Sequence, residues 1–422
     1  MSRRLWITVR LIGLGVAGCA NAGEQSEVAL ALGALAQDGY ATPEDAKASL
    51  GERLFEDPGL SASGTQSCAS CHREDQAFTG NNHDDPSFPV AIGAFPSLFG
   101  SRNTPTAMYT SFIPAFGFVP AQRGGQTTFI PQGGVFWDGR ADSLEQQAGG
   151  PFLNPREMAQ PSKQAVIDAV AVAEYAPLFE SVFGAGALAD TERAYDQLTE
   201  AIAAYERTPS FSPFSSKFDA MLRGMAQFSD QEQRGFELFS DREKGNCLLC
   251  HTGTPGSSEP HDWLFSDLGY HTLAVPRNCD IPDNADAEHH DLGLCARADI
   301  GERLPPEVSD PEAFRTQLCG AFKTPSLRNI SQSAPYMHNG FFKDLRQVVE
   351  FYATRETNPS AWYPSESGVL LKYDDLPGPH KANVVSVFAP FDRAEGQEPR
   401  LSPDEIDAIV AFLYTLRDGY EL

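Results

Sequence analysis

A mainly α-helical fold built from two similar domains, with long ordered loops, is what this sequence predicts. Three observations predict it. Ser-Cys-Ala-Ser-Cys-His at 67–72 is echoed by Asn-Cys-Leu-Leu-Cys-His at 246–251. Upstream of each copy, Gly51-x-x-Leu54-Phe55 is echoed by Gly235-x-x-Leu238-Phe239, both in short helical-looking segments. The 422 residues suffice for two domains with separate cores, and 36 Gly, 31 Pro and 28 Phe point to long loops packed against something large and flat. The formal net charge of −25 makes nucleic acid a poor partner and favours a small basic protein or a neutral molecule.

Taken in order, residues 1–22 read as an export signal. Arg3 and Arg4 lead into an apolar stretch, interrupted by Arg10, that ends in small residues. Two cleavage readings compete. Val-Ala-Gly-Cys at 16–19 resembles a lipobox, which makes Cys19 a lipidated N-terminus; Ala-Asn-Ala at 20–22 suits ordinary signal peptidase, which leaves Gly23 first. Either one sends the chain to the periplasm, and lipidation at Cys19 would also tether it to the outer membrane. No later stretch reaches the roughly 18 apolar residues needed to span a bilayer.

A helix carrying Leu-Phe, a loop and then C-x-x-C-H is how a class I cytochrome c domain begins, and such a domain closes with a helix packed across the first. Two segments suit that closing role. Leu198, Ile202 and Tyr205 share one face of 198–208. In 402–416, Ser402 is the cap, Pro403 occupies the first turn and Glu405 completes a capping box, ahead of an apolar stripe of Ile406, Ile409, Val410, Leu413 and Leu416. Two cytochrome c-like domains are therefore expected at 45–215 and 225–422, the second carrying an insert at 252–320. C-x-x-C-H is the attachment signature of a c-type haem: Cys68, Cys71, Cys247 and Cys250 would bond the vinyl groups, and His72 and His251 would ligate iron. Zinc held by the four thiolates is the rival reading. It leaves unexplained a histidine in the same place both times and an exported chain. Cys279, Cys295 and Cys319 remain, all in the insert. Export permits a disulfide, and spacing does not choose the pair; the expectation is Cys295–Cys319 with Cys279 left over.

The ligand on the far side of each iron separates an electron carrier from an enzyme. Beyond His251 the one methionine is Met337, in Pro-Tyr-Met-His-Asn-Gly at 335–340, and spacing does not choose between it and six histidines. Further on, 343–355 reads as a helix capped by Asp344 whose buried face carries Leu345, Val349 and Tyr352; by periodicity alone Tyr352 is a core residue.

Several segments together resemble a known family. They are Arg-Leu-Phe-Glu-Asp-Pro from residue 53 onward into the first C-x-x-C-H, Ser-Arg-Asn-Thr-Pro-Thr at 101–106, Phe-Trp-Asp-Gly-Arg-Ala-Asp-Ser-Leu at 136–144, Phe-Lys-Thr-Pro-Ser-Leu-Arg-Asn at 322–329, and the closing helix. The family is the bacterial di-haem cytochrome c peroxidases, and the likeness is nearer to the MauG-like branch. It runs from about residue 45 to the C-terminus, leaving out 252–320. It implies that Tyr352, fourteen residues past His338, is the distal ligand of the second haem. The peroxidases carry methionine there; phenolate instead would stabilise higher oxidation states of iron. The loop before Arg102 lacks the distal histidine of the peroxidases, so the first haem is expected to be open, with His83 as the residue that could contradict this. The resemblance further implies Glu157 and Gln147 at the peroxide-binding face, Trp137 and His338 between the haems, and calcium at Asn103, Ser333 and Pro335. The function implied is reduction of hydrogen peroxide, with electrons from a small redox protein or from side chains of a partner protein. The alternative is a non-catalytic di-haem electron-transfer cytochrome.

Overall fold

The computed structural model describes residues 40–422 apart from 83, 84, 86 and 124. The expected export signal with Cys19, and the rival ligand His83, lie outside the described residues. Among these the chain is mainly helical, with three two-stranded antiparallel ribbons. Among the described residues no helix is long and apolar enough to cross a membrane.

Six helices position the site, and each starts where a side chain satisfies the free N–H groups of its first turn. Helix α1 (Pro43–Glu56) is capped by Thr42, whose hydroxyl accepts from the Asp45 N–H. It turns Ala46, Leu50, Leu54 and Phe55 inward. Helix α2 (Leu144–Leu153) is capped by Ser143. Helix α3 (Thr191–Glu206) packs across α1. It begins well before the predicted 198–208, because Asp190 supplies the cap and Ala194 and Tyr195 extend the buried face. Helix α4 (Asp230–Ser240) has a capping box of Ser229 and Glu232. Helix α5 (Leu345–Thr354) is capped by Asp344, as its sequence predicts. Helix α6 (Pro403–Tyr414) has the predicted Ser402–Glu405 box and packs across α4.

One core gathers Leu50, Leu54, Phe152, Leu198 and Phe211; a second gathers Phe239, Phe265, Val349, Ile409 and Phe412. The repeated glycine marks the same joint in both. A Cβ at Gly51 would overlap the Ala201 carbonyl of α3, and one at Gly235 would overlap the Ala408 carbonyl of α6. Only hydrogen in place of a side chain lets each helix pair cross that closely.

A third, smaller cluster forms around the Cys295–Cys319 disulfide, whose Cα atoms are 4.8 Å apart, with Phe116, Tyr270 and Leu294. Cys279 is free and exposed. The insert grips the Phe136–Arg140 loop and its neighbours. Arg297 donates to the Gly139 carbonyl at 2.7 Å, Asp291 pairs with Arg102 at 2.6 Å, and Arg303 pairs with Asp142 at 2.6 Å. Arg328 and Asp219 form a wholly buried ion pair at 2.9 Å, and the remaining guanidinium donors reach the carbonyls of Trp263 and Pro260. That satisfies both charges where water cannot.

The duplication runs further than the motifs. One constant offset carries Trp137 to His338, Gly139 to Gly340 and Leu144 to Leu345. The geometry follows it: β-bridges Val135–Ala141 and Tyr336–Phe342 close the two turns, and Phe136 and Met337 have φ of 67° and 71°. In each half the turn leads into a side-chain-capped helix.

If the crossing needs glycine, Gly235→Ala will cost about 1–3 kcal/mol, the range for overpacking. Gly301→Ala, in a helical turn where an added Cβ meets nothing within 4 Å, will leave the thermal midpoint unchanged or slightly raise it. Calorimetry of the two variants beside the parent checks this.

Candidate functional site

A cavity of about 710 Å³ runs through the molecule, lined by both C-x-x-C-H motifs. The two histidines are held alike. His72 Nδ1 lies 2.9 Å from the Phe78 carbonyl, and His251 Nδ1 lies 3.0 Å from the Phe265 carbonyl. A carbonyl can only accept, so each Nδ1 carries the hydrogen and each Nε2 keeps its lone pair. Burial holds both imidazoles below the ordinary histidine range, hence neutral. Neutral imidazole with Nδ1 anchored to the backbone is how a metal-ligating histidine is oriented. Cys68, Cys71, Cys247 and Cys250 are all unpaired, and burial pushes Cys71 and Cys247 up to about 12. These residues fit covalent attachment of a c-type haem in each half. Zinc fits poorly, because the four thiols do not converge: the one cluster of three metal-binding side chains among the described residues is Cys250, Asp267 and His271.

Trp137 and His338 face each other in the same cavity, with ring centroids 6.5 Å apart and planes at 74°. His338 stacks on Phe322 at 3.6 Å, and burial pushes its imidazole down to about 4. Asn103 joins them: its N–H donates to the His338 carbonyl at 2.7 Å, and its carbonyl accepts from Trp137 Nε1 at 2.8 Å. The Asn103 side-chain Nδ2 donates to the Pro335 and Met337 carbonyls at 2.6 and 3.2 Å. Ser333 lines the cavity beside them. Two carbonyl oxygens therefore converge on the Asn103 amide.

The matched helices present different groups to the cavity at one telling position. The offset that pairs Trp137 with His338 pairs Pro151 of α2 with Tyr352 of α5, and both line the cavity. Tyr352 brings a phenol, pushed well above the usual tyrosine range first by burial and then by the Cys250 and Cys247 thiols. Pro151 brings no donor atom at all. Gln147 and Glu157 line the cavity on the Pro151 side. Burial raises the Glu157 carboxyl, against the opposing charge of Arg140 and a hydrogen bond with Asn154. Met337, the other ligand considered for the second half, packs against the second core at the position matching Phe136.

Two buried groups in the cavity wall escaped the sequence reading. Lys323 donates to the Gly134 carbonyl at 2.7 Å and is pushed down to about 7 by burial. Glu206, at the end of α3, is 5 % exposed, and its Oε2 has no hydrogen-bond partner. Burial pushes it up to about 8, nearby Glu145 adding to the shift and Arg207 opposing it. Nothing in Ala-Tyr-Glu-Arg-Thr distinguishes this carboxyl from a solvated one.

Because the folded Glu206 binds its proton more tightly than the unfolded chain does, its contribution is fully present at low pH and is lost as pH rises from about 4.5 to about 8. Glu206→Gln should therefore flatten the fall in thermal midpoint across that interval and raise the midpoint by a few degrees at pH 8. Unfolding scans at pH 5, 6.5 and 8 check it.

Comparison with known proteins bears on what this cavity serves. Residues 45–227 match the family model described as di-haem cytochrome c peroxidase. The methylamine utilization protein MauG of Paracoccus denitrificans is 39% identical over 380 residues, 89% of each chain. Cytochrome c551 peroxidase of Nitrosomonas europaea is 31% identical over 373 residues, covering 86% of this chain and 89% of that one. The crystal structure of the diheme peroxidase BthA from Burkholderia thailandensis superposes with a TM-score of 0.80 at 37% identity, over 88% of this chain and 86% of that one. Likeness of this depth, in sequence and in fold, makes the chain a member of the di-haem cytochrome c peroxidase family, the enzyme family to which MauG also belongs.

Proposed function

We propose that this enzyme is an exported oxidoreductase that reduces hydrogen peroxide at an open haem in the first half and draws electrons through a tyrosine-ligated haem in the second. The observation that carries the reading is the exchange of Tyr352 for Pro151 between matched helices. Residues Cys68, Cys71 and His72 would hold the first haem, and Cys247, Cys250, His251 and Tyr352 the second. Bound there, the haems would supply iron for O–O bond cleavage and for holding the two oxidising equivalents.

The chain's own residues supply the rest. Glu157, whose proton affinity burial raises, would carry a proton from the inner to the outer peroxide oxygen. Gln147 would orient peroxide by hydrogen bonding. A free phenolate at Tyr352 is disfavoured by burial, and a bound cation removes that penalty. Trp137 and His338 would form the contact between the halves. A calcium ion held by Asn103, Ser333 and Pro335 would fix that contact. The acidic chain suits a small basic redox protein as donor, and tyrosine ligation suits oxidation of a partner's side chain. Periplasmic location, with or without a lipid at Cys19, belongs to the same reading.

EPR of the as-isolated ferric protein tests it. One high-spin and one low-spin signal are expected, with Tyr352→Met altering only the low-spin one and stoichiometric peroxide removing both. Two low-spin signals indifferent to peroxide would return the electron-carrier reading. In stopped-flow, Glu157→Gln should slow the reaction with peroxide by about 10²–10⁴-fold, the usual worth of a general acid or base. Pro151→His, which offers the first half a ligand where the second has one, should turn the high-spin signal low-spin and abolish the reaction.

A further inference from the structure

A smaller cavity of about 230 Å³ opens beside Glu157. Phe136, Arg140, Asn154 and Glu157 line both this cavity and the large one. Its outer wall is solvent-facing: Arg140, Gln146 and Gly150 are exposed. The Arg140 guanidinium lies over the Phe136 ring, 3.6 Å from its centroid, and bonds Asp138 at 3.0 Å, so that side of the opening is held in place.

The second half shows what closes such an opening. The offset that pairs Pro151 with Tyr352 pairs Gly150 with Phe351, Arg140 with Phe341 and Ala141 with Phe342. Phe351 is fully buried, 5.0 Å from Phe342 and 5.5 Å from Trp362. Where the second half carries a benzyl group, the first carries hydrogen. A Cβ built at Gly150 would sit 3.6 Å from Phe136 Cζ, in ordinary contact and directed at the wall of the small cavity. The Gly150 backbone is not in the left-handed region, so no turn geometry accounts for glycine at this helical position.

We infer that the small cavity is the route by which the oxidant reaches Glu157, and that Gly150 with the stacked Arg140–Phe136 pair sets the size of molecule admitted. Hydrogen peroxide passes freely; a branched alkyl hydroperoxide is held back. The inference rests on the peroxidase reading for the identity of the oxidant, but the route also holds for any small ligand of the first site.

The test uses the intact di-haem protein, wild type beside Gly150→Phe, with cyanide and hydrogen peroxide as separate probes in stopped-flow. Obstruction of a route slows association and dissociation alike, so cyanide should bind and leave at least about tenfold more slowly with its dissociation constant unchanged, and peroxide should react correspondingly more slowly. Unaltered cyanide rates, or a changed dissociation constant with an unaltered association rate, would overturn the inference. So would failure of the wild type to bind cyanide. If the wild type binds cyanide with these kinetics but ignores peroxide, the route stands and the peroxidase reading falls. An intact low-spin EPR signal shows that Gly150→Phe has folded. Arg140→Ala reads the opposite direction: the reaction with tert-butyl hydroperoxide should quicken several-fold, and no gain would count against the size limit.

Discussion

Asn103 is the point on which the two halves turn. Its backbone N–H and C=O are both spent across the cavity, one on the His338 carbonyl and one on the Trp137 indole, and the residue is buried. A buried backbone group that loses its partner recovers nothing from water, so the bond to His338 ties the second half to the same residue that fixes the Trp137 indole in the first. Arg102 beside it ties the same place to Asp138 and, through Asp291, to the insert. The distance between the two aromatic rings is thus set by main-chain bonds rather than by packing alone.

Around that fixed point one architecture has been used twice and then made unequal. Capped helices cross at a glycine, an imidazole is anchored by Nδ1 to a carbonyl, and a β-bridged turn with a left-handed residue presents one ring to the cavity. These features recur in both halves. The differences fall on the helix that follows the turn, where glycine and proline in the first half stand against phenylalanine and tyrosine in the second. Replacing two aromatic side chains leaves space without disturbing the scaffold, because the caps and crossings that stabilise the helix lie elsewhere.

Much of this was legible in the sequence. The Ser402–Glu405 box, the Asp344 cap and the Cys295–Cys319 pair all rest on local chemistry or on few alternatives, and each is present. The start of α3 was missed because its first two turns carry Thr, Glu and Arg outward, which hides the apolar period. The match between Trp137 and His338 was not legible either: the two turns share little beyond a glycine and a leucine, and a left-handed φ at Phe136 or Met337 has no signature in those residue types. The insert's grip depends on ion pairs between residues far apart in the chain, such as Arg303 and Asp142, which no local pattern announces. Glu157 and Gln147 stood out only by family resemblance, since in isolation each looks like a surface residue.

The Trp137 N–H bond has a chemical consequence. An indole that has lost an electron becomes a strong acid at nitrogen and ordinarily sheds its proton to the nearest base. Here its hydrogen-bond acceptor is an amide carbonyl, one of the weakest bases a protein offers. An electron removed from Trp137 would leave the proton where it was. The ring could then be refilled by its neighbour without waiting for a proton to return, and oxidation there would be a matter of electron position alone.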